Sequence, residues 1–138
     1  MLTYELAQRA LQAAAQQASE LGARVAIAVV DAAGQPIALA RLDGASFLNV
    51  ELALGKAYTA AGLRRSTSLL KEMAQDRPEY VLGLVTGSRG RLVADAGGYP
   101  IITPGGVIGA IGVSGGHPDQ DEAIADAARA SIQIDARS

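Results

Sequence analysis

The only histidine of the chain, His117, follows the pair Gly115-Gly116 where an apolar run ends and an acidic segment, Pro118-Asp119-Gln120-Asp121-Glu122, begins. An imidazole titrates near neutrality and coordinates transition metals well, so His117 is a candidate metal ligand or general base. Glycines admit a ligand close to the backbone, and a helix start leaves N–H groups unpaired. Gly115 and Gly116 are therefore candidates to cradle a propionate, carboxylate or phosphate. Asp119, Asp121 and Glu122 would repel such an anion, and a plain glycine turn with acidic residues complementing the helix dipole explains the same pattern. One histidine without a cysteine makes no ordinary transition-metal site unless carboxylates join it.

A second group of candidates centres on Lys56, set in the apolar stretch Leu52-Ala53-Leu54-Gly55-Lys56-Ala57-Tyr58. A cation there must reach solvent, find a partner or meet a ligand carboxylate. Arg41 and Asp43, shortly upstream, are candidate neighbours. Tyr58 and Tyr99 offer hydrogen bonds or a phenolate ligand, or else simply pack. Arg64-Arg65-Ser66-Thr67-Ser68 suits a phosphate, or a helix end followed by a cap. Asp31, Glu51, Asp95 and Asp121 are carboxylates that sequence alone cannot pair. No Ser-His-Asp order, activated cysteine or phosphate-loop motif is present, and no reaction is named by these residues.

The elements that must position them can be read from periodicity. Thr3 caps a first helix, Leu6, Ala7, Ala10, Leu11, Ala14, Ala18 and Leu21 recur at helical spacing, and Gly22 ends it. Val25 to Asp31 and Pro36 to Leu42 form a hairpin about Asp31-Ala32-Ala33-Gly34. The first of these strands alternates large with small rather than apolar with polar: Val25, Ile27 and Val29 oppose Ala26, Ala28 and Val30. Val107, Ile111 and Val113 oppose Ala110, Gly112 and Ser114 in the same way, so both strands belong at the centre of a sheet covered on both faces.

A second helix starts near Ser46 and is expected to stop at Gly62; a short third is capped within Ser66–Ser68 and runs through Met73. Residues 79–88 form an unassigned apolar connection, and Arg91 to Asp95 reads as a third strand. Strands at Tyr99–Ile102 and Val107–Ser114 and a last helix from about Asp119 to Asp135 complete the order α-β-β-α-α-β-β-β-α. Tight turns between strands imply an antiparallel sheet, hence an α+β fold.

The 138 residues suit one domain, 1–138, with a core that needs no disulfide, and there are no cysteines to make one. A net charge of -2, no basic run and no tryptophan argue against nucleic-acid binding. No apolar run approaches membrane-spanning length, and the N-terminus lacks the pattern of a signal peptide. A cytoplasmic protein with no membrane partner is expected. Its wealth of small apolar residues suits tight subunit contacts and favours a homo-oligomer.

Several blocks resemble the GlcG/HbpS-like family, which includes the C-terminal domain of PduO-type cobalamin adenosyltransferases. They are Val29-Val30-Asp31-Ala32-Ala33-Gly34, Arg41-Leu42-Asp43-Gly44-Ala45, Lys56-Ala57-Tyr58-Thr59-Ala60, Gly97-Gly98-Tyr99-Pro100-Ile101 and Gly106 to Gly116, followed by Gln120-Asp121-Glu122. The blocks keep the family's order over nearly the whole chain. The resemblance implies a profilin-like or PAS-like five-stranded antiparallel sheet flanked by helices, assembled as a homo-oligomer, with haem or iron bound by some members. Two departures stand out. Gln35 replaces a histidine that relatives often carry after the hairpin glycine, and His117 stands where many relatives have a threonine that is an axial contact in the haem-binding sensor branch. The expected function is a homo-oligomeric binder of a small ligand, haem or iron first, with His117, Gly115, Gly116, Lys56, Arg41, Asp43 and Tyr99 around it and His117 on the metal. A small enzyme acting on a carboxylated metabolite through Lys56, and an accessory subunit without catalysis, are the alternatives.

Overall fold

The computed structural model describes residues 1–137, with side chains through Ile132. Thr3 accepts a bond from the Leu6 N–H at 3.1 Å and opens helix α1 (Tyr4–Leu21), which Gly22 ends in a left-handed conformation at φ 66°. The chain then makes a hairpin of β1 (Ala26–Asp31) and β2 (Pro36–Arg41). Asp31 shapes its turn by accepting from the amides of Ala33 and Gln35 at 2.9 and 3.0 Å. Helix α2 (Phe47–Leu63) starts at the cap Ser46, and α3 (Ser68–Asp76) and α4 (Pro78–Gly87) follow. Strands β3 (Gly98–Thr103) and β4 (Gly106–Ser114) lead into α5 (Pro118–Arg137).

The sheet is antiparallel in the order β2-β1-β4-β3, so β1 and β4 are central, as their lack of a polar face requires. The large-and-small alternation builds two different cores. Val25, Ile27, Val29, Ile111 and Val113 face the alanine ridge of α1 and the apolar face of α5. Ala26, Ala28, Val30 and Ala110 face Ala53, Ala57, Ala60 and Ala61 of α2. Small residues on both surfaces bring α2 almost onto the sheet backbone. At Gly112 a Cβ would lie 2.1 Å from the Ala53 carbonyl oxygen and 2.5 Å from the Ala57 nitrogen.

Several expectations need correction. The sheet has four strands among the described residues, not five. Arg91 to Asp95, expected as a strand, instead lies across α2: the Val93 N–H donates to Thr59 Oγ1 at 2.9 Å, and the Val93 side chain occupies the space a Cβ on Gly55 would need. Its short apolar run satisfies a helix surface as readily as a sheet, so the pattern alone does not separate the two. The unassigned segment is α4, opened by Pro78 at the first helical position. The order is therefore α-β-β-α-α-α-β-β-α. Helix α2 also passes Gly62 and ends at Arg64, a left-handed non-glycine residue at φ 61°.

Thr67 precedes α3 without capping it, because its side chain is used elsewhere. Buried against β3, it accepts from the Gly98 N–H at 2.9 Å while its own N–H donates to the Gly98 carbonyl at 3.0 Å. Among the described residues no helix is long and apolar enough to cross a membrane.

Candidate functional site

Lys56 is only 2% exposed and projects from α2 between β4 and α5. Its Nζ donates to the Val113 carbonyl at 2.9 Å and to Asp121 Oδ2 at 3.3 Å. Asp121 is buried as well, and its other oxygen accepts from the Gly116 N–H at 2.8 Å. Burial raises the Asp121 carboxyl above its ordinary value, against the opposing pull of the Lys56 charge and the Gly116 amide. A lysine in an apolar stretch thus finds an internal partner, and that partner is neither Arg41 nor Asp43. Both of those are exposed, at the end of β2 and in the turn that follows. The Lys56 ammonium is thus sealed from solvent and paired within the fold.

The glycine pair at the start of α5 receives an anion, but one belonging to the protein. Asp121 takes the Gly116 N–H that an incoming carboxylate would use. Gly115, at φ 132°, is required because a Cβ there would sit 2.5 Å from the Arg24 carbonyl oxygen. His117 is exposed and acts through its backbone: its carbonyl accepts from the Asp121 N–H at 2.9 Å, and its N–H donates to Gln120 Oε1 at 3.0 Å. With Pro118 first in the helix, Gln120 is its third residue, and its bond back to His117 is half of a capping box. Tyr99 is half-buried on β3 with the Arg129 guanidinium 5.1 Å from its ring centre. Burial first, then the charges of Glu122 and Asp126, raise its phenol above the ordinary value.

The sequence-nominated residues therefore scatter. Lys56, Gly116 and, through its backbone, His117 meet at an internal lock, Tyr99 faces Glu122 and Asp126 of α5, and Arg41 and Asp43 are exposed at the end of β2 and in its turn. None of the seven lines any of four surface cavities of the fold.

Those cavities lie around the hairpin turn. One of about 390 Å³ runs between the hairpin, α2 and residues 89–93, bounded by Gly34, Leu52, Leu54, Tyr58, Arg89 and Arg91, with Glu51 at one side. A second, of about 320 Å³, shares Gly34 and Tyr58 with it and continues along Leu63 and Leu92. Tyr58 forms the wall between them. The Arg91 guanidinium lies 4.1 Å from its ring centre, and Gly34 is held against the ring so closely that a Cβ would fall 2.6 Å from Cδ2. Arg89, left-handed at φ 61°, lines the first cavity together with Arg91. The groove thus pairs apolar and aromatic walls with two arginines against the single acid Glu51, a combination suited to a flat ligand bearing carboxylates. Arg89 and Arg91 escape a reading of the sequence because their segment has the pattern of a connection and a strand. Two arginines flanking Gly90 directly after a helix are the signal that marks them. No cluster of three or more histidine, cysteine or carboxylate side chains able to hold a metal ion occurs among the described residues.

A family model described as haem degrading protein HbpS-like matches residues 2–130. An uncharacterised 15.0 kDa protein from the dhaT–dhaS intergenic region of Citrobacter freundii is 36% identical over 127 residues, covering 92% of this chain and 89% of that one. Protein GlcG of Escherichia coli K12 is 34% identical over 115 residues, covering 83% and 81%. The crystal structure of a PduOC:heme complex superimposes with a TM-score of 0.87 at 32% identity, covering 95% of this chain and 94% of that one.

Proposed function

The chain belongs to the HbpS-like family, and from that premise we propose that it binds a planar, carboxylated ligand, haem first among candidates, in the groove over Tyr58. The observation that carries this reading is the pairing of Arg89 and Arg91 with an aromatic and apolar wall in one open cavity. Support for haem itself comes from the relative whose structure is a haem complex. The groove's residues fit the group: the arginines suit propionates, Leu52, Leu54 and Val93 suit a macrocycle edge, and the Tyr58 phenol is the candidate iron donor on that wall. The imidazole of His117 lies on none of these surfaces, so the metal role expected of it passes to Tyr58 in this reading. Bound haem would supply the redox chemistry of its iron; the chain's own part is to hold, orient and shield it.

A haemin titration followed by absorbance tests the assignment. Arg91→Ala should weaken binding by about tenfold, the scale of one lost charge-assisted contact, and His117→Ala should leave it unchanged. Equal affinity in Arg91→Ala together with a loss in His117→Ala would return the site to the start of α5.

The reading includes self-association. Phe47 and Leu48, 68% and 59% exposed, and the partly exposed Leu52 present an apolar face on the first half of α2. Sedimentation velocity should give an assembly larger than one chain, and Phe47→Asp should reduce it to a monomer. A wild-type chain that sediments as a monomer at all concentrations would remove this part.

A further inference from the structure

We infer that Thr59 is the positioning residue of the groove: it holds the Arg91–Val93 strap in place and so sets where the Arg91 guanidinium stands. The inference rests on the groove reading above and deepens it. Thr59 is fully buried on α2, next to Tyr58 in sequence. Its hydroxyl donates to the Gly55 carbonyl at 2.7 Å, which orients the oxygen, and the same oxygen accepts from the Val93 N–H at 2.9 Å. Gly55, one turn earlier, completes the seat. A Cβ there would lie 2.4 Å from Val93 Cγ2 and 3.1 Å from the Arg91 carbonyl oxygen, so only a bare backbone lets the strap lie this close.

The other end of the strap is tied to α4. Ser88 Oγ donates to the Val85 carbonyl at 2.9 Å and accepts from the Leu92 N–H at 3.0 Å, and the Arg91 N–H donates to the Ser88 carbonyl at 3.3 Å. Residues 91–93 belong to no strand, so ladder bonds do not fix them. The Thr59 hydroxyl on α2, and the Ser88 hydroxyl and carbonyl at the end of α4, carry that task. Both Tyr58 and the seat for the strap come from the same helix, which ties the guanidinium to the ring it covers.

Two variants, Thr59→Val and Thr59→Ser, separate this role from general stability. In the wild type the Arg91 side-chain protons should resonate upfield because the Tyr58 ring lies over them, and the Val93 amide should exchange slowly. Thr59→Val should move the Arg91 protons toward unshifted positions, and Thr59→Ser should keep them. In haemin titrations Thr59→Val should lose about tenfold in affinity, as Arg91→Ala does, and the double variant no more than either alone. Unshifted Arg91 protons or a fast-exchanging Val93 amide in the wild type would overturn the inference, a result that needs no variant to fold. So would an Arg91 signal unchanged in Thr59→Val, or additive losses in the double variant. Failure of the wild type to bind haemin would sink the ligand reading alone, since the resonance and exchange measurements judge the strap without a ligand.

Discussion

Lys56→Met is expected to cost about 3–5 kcal/mol of folding stability, because it strands the Asp121 carboxylate in a site that solvent barely reaches. The Gly116 N–H remains to the carboxylate, but its opposite charge is gone. Replacing both partners, as in Lys56→Met with Asp121→Leu, should recover most of the loss, since buried pairs exchanged for apolar residues are often near neutral.

The pH dependence has a definite sign. Burial raises Asp121 above its ordinary 3.8, so over the window between that value and its folded pKa the native state keeps a proton that the unfolded chain gives up. Its contribution to stability is therefore full below about 3.8 and is lost as pH rises through the folded value. Removing Lys56 takes away the attraction that opposes the rise and widens the window. Urea unfolding from acid to neutral pH should show the gap between wild type and Lys56→Met growing with pH. A gap that is constant, or that shrinks, would contradict a buried ionised pair.

The second large effect is expected at Gly112. Its missing side chain lets α2 approach, and the atoms a Cβ would strike at 2.1 and 2.5 Å are backbone atoms of Ala53 and Ala57. Backbone cannot swing aside as a flexible side chain would, so Gly112→Ala must lift α2 from the sheet or unfold it, at a cost of about 3 kcal/mol or more. Gly83→Ala is the matched control. That position lies within α4, where an added Cβ would have nothing within 4 Å, and the change should stabilise by about 0.5–1 kcal/mol through helix propensity. Thermal unfolding of the two variants should move in opposite directions; a benign Gly112→Ala would mean that α2 does not pack this closely.

The alternation of Val25, Ile27 and Val29 with Ala26, Ala28 and Val30 is enough to place β1 at the sheet centre and to require a cover on each face. Caps carry similar weight: Thr3, Ser46 and Gly22 mark helix ends by chemistry that acts within four residues. What stays hidden depends on contacts distant in sequence. Lys56 and Asp121 are 65 positions apart, and nothing in either neighbourhood announces that they meet. The glycines before α5 do signal an anion, yet the anion is Asp121, five residues on from Gly116. Arg91 to Asp95 looks like a strand because its residues suit one, and it is the seat made by Gly55 and Thr59, with the tie to Ser88, that places it on a helix instead. The groove is illegible for the same reason, being assembled from the hairpin turn, the middle of α2 and that strap.

The most direct test of the account locates the ligand on the protein. Amide chemical shifts recorded during titration with a diamagnetic gallium protoporphyrin should change most at Gly34, Gly55, Tyr58, Gly90 and Arg91, and little at Gly115, Gly116 and His117. The largest changes confined to residues 115–119, with the groove silent, would contradict it.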